Sequence, residues 1–268
     1  MTTTLPGSRS AHTAADRRPP ALRLAAVFKD YRGHRALDGL DLEVAPGEVV
    51  AILGPNGAGK STTMKIVAGV ARPTSGSVAV AGVDALADPL GARRALGYVP
   101  DVGGLFPRLT GWEHLELAAR LRGLDPATWP GEARALVGRL GLGDAAGRRS
   151  ASYSHGMGRK LSLAVAMLAR PGLLLLDEPF DGVDPAGSAA IRELIAEATA
   201  RGAGVLMSTH LLDAAERVAD RLVIVRTGRT LASGDAASLR ARAGRPGPLE
   251  DAYLALMASV GAPLGSSG

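Results

Sequence analysis

Gly54-Pro55-Asn56-Gly57-Ala58-Gly59-Lys60-Ser61-Thr62 fits the phosphate-loop pattern G-x-x-x-x-G-K-[ST]. Just before it, Val49-Val50-Ala51-Ile52-Leu53 is an unbroken apolar run of the kind that forms a strand buried on both faces. Just after it, Thr62-Thr63-Met64-Lys65-Ile66-Val67-Ala68 can carry a helix. The glycines therefore stand where a strand turns tightly into a helix N-terminus. There they let backbone N–H groups converge on an anion, and the helix dipole adds favourable potential at the same point. Lys60 is placed to reach β- and γ-phosphates, and the Ser61 hydroxyl to ligate Mg²⁺. A nucleoside triphosphate with Mg²⁺ is the ligand this arrangement selects.

The chain has 268 residues, 46% of them apolar and only 3% aromatic, enough for an aliphatic core in one large α/β domain or two modest ones. It has no cysteine, which excludes disulfides and thiolate metal sites and suits a reducing cytosol. The net charge of +5 comes almost wholly from arginine, the lysines being Lys29, Lys60, Lys65 and Lys160. The arginines are scattered among acids, which reads as a solvated surface; nucleic acid is not expected as a partner. No apolar run approaches the roughly 18 residues needed to cross a bilayer. Residues 1–20 lack the apolar region of a secretory signal and read as a disordered leader.

Between Leu22 and Val44 the alternation suggests two or three short antiparallel strands separated by a polar turn around Tyr31 to Arg35. Strands are expected at Gly76 to Gly82 and at Leu96 to Pro100, with a short helix between them. Residues from about 102 to 165 change to helical spacing with Gly, Pro and Asp breaks, which suggests an inserted helical subdomain. A helix from Ser154 to Ala169 then leads to Leu173-Leu174-Leu175-Leu176, a second strand buried on both faces. Further alternation follows: a helix near Ala186 to Ala200, a strand at Gly204 to Met207, a helix from Leu211 to Val218, and strands at Leu222 to Arg226 and Thr230 to Ala232. The fold class is α/β, a phosphate-loop core on a mostly parallel sheet, with ligands at the strands' C-terminal ends.

The second buried strand ends in Asp177-Glu178-Pro179. Two adjacent carboxylates after such a strand are costly unless a cation or hydrogen bonds satisfy them. Asp177 can hold Mg²⁺ through water, and Glu178 can polarise a water aimed at a γ-phosphate.

From about Leu22 to Leu256 the chain resembles the ATP-binding subunits of ABC transporters, on ordered motifs. Ser152-Tyr153-Ser154-His155-Gly156-Met157 stands where that family carries its signature, usually written L-S-G-G-Q. Asp181-Gly182-Val183-Asp184-Pro185 matches its D-loop, Ser208-Thr209-His210 its switch histidine, and Tyr31 stands where it stacks an aromatic on adenine. The resemblance implies an ATPase domain over residues 21–244, with an N-terminal antiparallel β subdomain and the inserted helices, followed by a C-terminal helix and tail at 245–268. It implies two ATPase subunits, identical or different, facing head to tail. ATP would lie between the phosphate loop, Lys60, Ser61, Asp177, Glu178 and His210 of one subunit and Ser154 and Gly156 of the other, with Asp184 linking the two sites. It further implies an integral membrane subunit and a place on the cytoplasmic face of the cell membrane.

The chain departs from the pattern in three places. Asp101 stands where a glutamine contacts Mg²⁺ and signals to the membrane subunit; its carboxylate is still an oxygen ligand, but shorter and charged. His155 and Met157 replace the first glycine and the terminal glutamine of the signature, while Ser154 and the backbone of Gly156 remain. Asp181 replaces a small polar residue. The signature variant, with a C-terminal helix at Leu249 to Leu256, is similar to the branch that serves exporters. The competing expectations are a soluble ATPase of this class acting on ribosomes or nucleic acid, and a regulatory subunit that binds ATP but barely hydrolyses it.

Overall fold

Two apolar strands carry the fold. β3 (Val49–Leu53) and β7 (Leu173–Asp177) are buried at every position. Their side chains alternate between two cores: Val49, Ala51, Leu53, Leu174 and Leu176 enter one, and Val50, Ile52, Leu173 and Leu175 the other. A period of two with both faces apolar is what a central parallel strand requires. The computed structural model describes residues 18–259, so most of the expected leader and the end of the expected tail lie outside it. β8 (Gly204–Ser208), β9 (Arg221–Arg226), β10 (Arg229–Gly234) and β6 (Leu96–Val99) complete a six-stranded sheet in the order β10-β9-β3-β8-β7-β6. Every pairing is parallel except β9 with β10.

A second, antiparallel sheet has the order β2-β1-β4-β5, from β1 (Leu22–Tyr31), β2 (His34–Val44), β4 (Ser75–Val80) and β5 (Val83–Asp84). Leu22, Leu24, Leu40, Leu42, Val78 and Val80 share the second core with Met64, Ile66 and Val67 of α1 (Lys60–Val67). The antiparallel strands expected on either side of the polar turn are present as one hairpin closed at Arg32-Gly33, longer than the short strands expected. Its ladder slips at three places, so the apolar residues do not keep one strict alternation along the chain.

α2 (Pro89–Arg94) leads into β6 and puts Ala92 in the second core, while later helices cover the other face of the parallel sheet. α3 (Gly111–Leu121) opens on a capping box between Thr110 and Glu113, and α4 (Trp129–Arg139) follows. α5 (His155–Met167) starts among these helices, and its Leu161, Leu163, Ala164 and Met167 lie in the sheet core. The boundary expected near residue 165 therefore falls inside one continuous helix. α6 (Pro185–Ala200), α7 (Leu212–Val218), α8 (Ala236–Ala243) and α9 (Leu249–Ser259) complete the layer. No helix among the described residues is long and apolar enough to cross a membrane.

Candidate nucleotide site

Parallel register decides where the site lies. β3 runs directly into the phosphate loop, Asp177 is the last residue of β7 and Ser208 the last of β8. The ladder pairs Ile52 with Ser208 and Ser208 with Asp177, so three strand ends that are distant in sequence finish side by side. The Ser208 hydroxyl donates to Asp177 Oδ1, and both residues are buried. Glu178 follows with φ +52°, a left-handed backbone that costs a non-glycine residue of order 1 kcal/mol or more. Its amide donates to the Ser208 carbonyl at 3.1 Å, which holds that conformation. Glu178 Oε2 lies 3.0 Å from His210 Nδ1 and accepts from the His210 amide at 3.3 Å.

Gly59, at φ +109°, caps the start of α1; a Cβ there would stand 2.9 Å from the Ala36 carbonyl, so the turn admits no side chain. The Lys60 ammonium donates to the carbonyls of Gly54 and Pro55, the latter at 3.1 Å. Burial holds its pKa below the usual lysine value, against the opposing pull of Glu178 and Asp177. Burial also pushes the Asp177 carboxyl up; the Ser208 hydrogen bond works against this, and the neighbouring charges of Asp101 and Glu178 add to it. Lys60, Asp101, Asp177 and Glu178 thus share one local field. A cavity of about 210 Å³ opens on the phosphate loop, lined by Asn56, Gly57, Lys60, Ser61 and Thr62, with Tyr31 on its wall. The Lys29 ammonium sits 4.7 Å from the centre of the Tyr31 ring. His34 and Ala36 also line this cavity; they stand just past the turn from Tyr31, and that proximity is the only sequence signal for them.

The signature segment lies elsewhere. Ser154 is exposed and caps α5, accepting from the Met157 amide at 3.2 Å, as its place at the head of the expected helix suggests. Gly156 is buried with its Cα against the Gly182 carbonyl, a contact that leaves no room for a Cβ. Asp184 starts α6 without capping it; Lys160 pairs with its carboxylate at 2.6 Å and holds it below the usual carboxylate range. Neither Ser154, Gly156 nor Asp184 lines the phosphate-loop cavity. Asp101 faces a different cleft, which it lines with His155 and Arg159. Two residues central to this geometry have no role assigned from the sequence: Ser208, which stands there only as the first residue of the switch-histidine motif, and Arg159, which is followed directly by Lys160 at the polar start of α5.

Among the described residues no three His, Asp or Glu side chains converge as a metal cage. Mg²⁺ needs none, because it is commonly held by one or two carboxylates together with substrate phosphates. The buried Asp177 oxygens beside two further carboxylates, with the Ser61 hydroxyl at the cavity, are hard donors that fit this ion.

The family model for the ABC transporter matches residues 37–181. The daunorubicin/doxorubicin resistance ATP-binding protein DrrA of Streptomyces peucetius is 38% identical over 84% of this chain and 68% of its own length. A solved ATP-binding subunit of an ABC transporter superposes with TM-score 0.84 at 36% identity, covering 88% of this chain and 99% of that one. A dimeric bacterial ABC transporter cassette superposes with TM-score 0.74 at 25% identity, covering 80% and 98%. By its phosphate loop, its strand-end carboxylates and these likenesses, the chain belongs to the ABC transporter family, as an ATP-binding and ATP-hydrolysing subunit that powers transport.

Proposed function

We propose that two such subunits close around ATP at sites shared between them, and that their closure drives a separate membrane-spanning exporter subunit from the cytoplasmic face of the membrane. The observation that carries this reading is the division of the site. Lys60 lines the phosphate-loop cavity and Asp177, Glu178 and His210 stand at or just past the ends of β7 and β8, while Ser154 stands exposed at the start of α5 and does not line that cavity. A single copy offers half of what encloses a triphosphate, and a second copy turned head to tail supplies the rest.

In that assembly Tyr31 stacks on adenine, and the amides of Gly54 to Thr62 with Lys60 hold the phosphates. Ser61 and Asp177 would hold Mg²⁺; Asp101 is engaged by Arg159 and lines a separate cleft. Magnesium, when bound, offsets charge on the β- and γ-oxygens. Glu178 takes a proton from the water that attacks the γ-phosphorus as the bond to the ADP oxygen breaks, and His210 keeps the Glu178 carboxylate in place through the 3.0 Å contact. The partner's Ser154 and Gly156 close over the γ-phosphate, and Asp184 links the two sites. Because ATP touches both subunits only when they are paired, its differential affinity for that state drives closure. The name of the resistance protein supports outward transport, and the dimeric cassette supports pairing.

Crosslinking in native membranes, followed by identification of what copurifies, tests this. Recovery of a multi-span membrane protein lacking a phosphate loop is expected. Recovery only from the soluble fraction with ribosomes or nucleic acid would contradict it.

A further inference from the structure

Asp101, His155 and Asp181, one departure from each of the three places, are far apart in the chain, yet they meet around one side chain. Arg159 is only 4% exposed. Its Nη2 donates to Asp101 Oδ1 at 3.1 Å, and lies 3.0 Å from His155 Nε2 and 4.0 Å from Asp181 Oδ2. His155 Nε2 is itself 3.4 Å from Asp181 Oδ2. Nη1 donates to the carbonyls of Pro100 at 3.1 Å and Asp177 at 2.8 Å. One guanidinium therefore ties the loop after β6, the start of α5, the end of β7 and the loop before α6. A glycine at 155 would offer no ring nitrogen, and a small polar residue at 181 no carboxylate. A buried guanidinium is costly unless carboxylates and carbonyls meet it, and among the described residues Arg159 Nε has no hydrogen-bond partner.

We propose that Arg159 is a positioning residue that holds Asp101, His155 and Asp181 as one unit. The segment bearing Ser154 and Gly156 then moves together with the Asp101 loop and with the Asp181 to Asp184 loop when two subunits pair. Arg159 acts through these side chains and does not touch nucleotide. Without its charge, Asp101 and Asp181 would lose their shared cation, and Asp101 already adds its field to that of Glu178 at Asp177. This proposal rests on the shared-site reading above.

The test uses the full chain carrying Glu178→Gln, which is expected to bind ATP without consuming it. The readouts are the ATP concentration at half-maximal pairing, by light scattering, and binding of a fluorescent ATP analogue to the monomer. Adding Arg159→Gln should raise the half-pairing concentration about tenfold while analogue binding changes less than about twofold. Adding Asp101→Gln and Asp181→Ser to Arg159→Gln should bring pairing back to within about threefold of the starting protein, because no unpaired carboxylates remain. An equal loss with and without those two changes would overturn the proposal, since Arg159 would then serve only the two carbonyls. If Arg159→Gln does not fold, Asp101→Gln and Asp181→Ser are compared singly and together. Both side chains are about half exposed, so neither change threatens the core. Their joint loss should exceed the product of the single losses by about fivefold, because together they strip a buried cation of both carboxylates; a simple product overturns it. Failure of the Glu178→Gln protein to pair in ATP at all would instead refute the shared site on which the proposal stands.

Discussion

Ser208→Ala removes one oxygen from the junction of β8 and β7. Ser208 is 1% and Asp177 7% exposed, so water replaces the lost donor poorly. A hydrogen bond to a charged group contributes about 1.5–3 kcal/mol and a neutral one about 1 kcal/mol. The expected loss of stability at neutral pH is therefore about 2 kcal/mol. The pH dependence follows from the carboxyl. Burial raises the Asp177 pKa and the Ser208 hydroxyl lowers it, so deleting the hydroxyl raises it further. A carboxyl whose folded pKa lies above its unfolded value binds more protons when folded. Its ionisation therefore lowers stability as pH rises from the ordinary carboxylate range through the raised value. That decline continues to higher pH in the variant. The gap between the two proteins is then widest where Asp177 is ionised in both, and shrinks towards the neutral-bond value in acid. Urea unfolding without nucleotide, at neutral and at mildly acid pH, measures the gap from midpoints at unchanged slope. A gap below about 0.5 kcal/mol, or one that stays constant with pH, would refute the reasoning.

Asp177→Asn keeps an acceptor for Ser208 and removes the buried charge. It should stabilise the nucleotide-free protein at neutral pH by about 1 kcal/mol in urea while abolishing the Mg²⁺-dependent part of nucleotide binding; a loss of stability would count against the assigned environment. Lys60→Ala removes charge-assisted bonds to phosphate and should weaken nucleotide binding by about ten- to a hundredfold in a fluorescence titration; an unchanged Kd would remove Lys60 from its role. In Gly156→Ala the new methyl meets the Gly182 carbonyl and lies 3.3 Å from Val183 Cα. It should cost about 1–3 kcal/mol in thermal unfolding, and an unchanged midpoint would mean that the close approach is not real.

What was legible in the sequence had a local cause. The apolar runs at Val49 to Leu53 and Leu173 to Leu176 read as central strands because both of their faces are buried, and the phosphate loop lies between elements of fixed type. The N-terminal hairpin shows in the sequence as shorter strands than it forms, because bulges break its alternation. α8 buries only Leu239, so it has no apolar stripe to reveal it. In the site, the motif residues were legible one by one, and their mutual geometry was not. Ser208 meets Asp177 only through the register of two parallel strands. Asp101, His155 and Asp181 read as three separate departures because the guanidinium that joins them to one another reaches across 58 positions to Asp101. Long-range contacts of this kind leave no periodic trace in a single sequence.

The central claim is a catalytic site completed by a second subunit under the control of ATP. Light scattering on the purified full chain carrying Glu178→Gln, with and without ATP, tests it most directly, alongside the hydrolysis rate of the same variant. The account predicts a monomer without nucleotide, a dimer with ATP, and hydrolysis lost. A dimer independent of nucleotide, a monomer at saturating ATP, or an unchanged hydrolysis rate would contradict it.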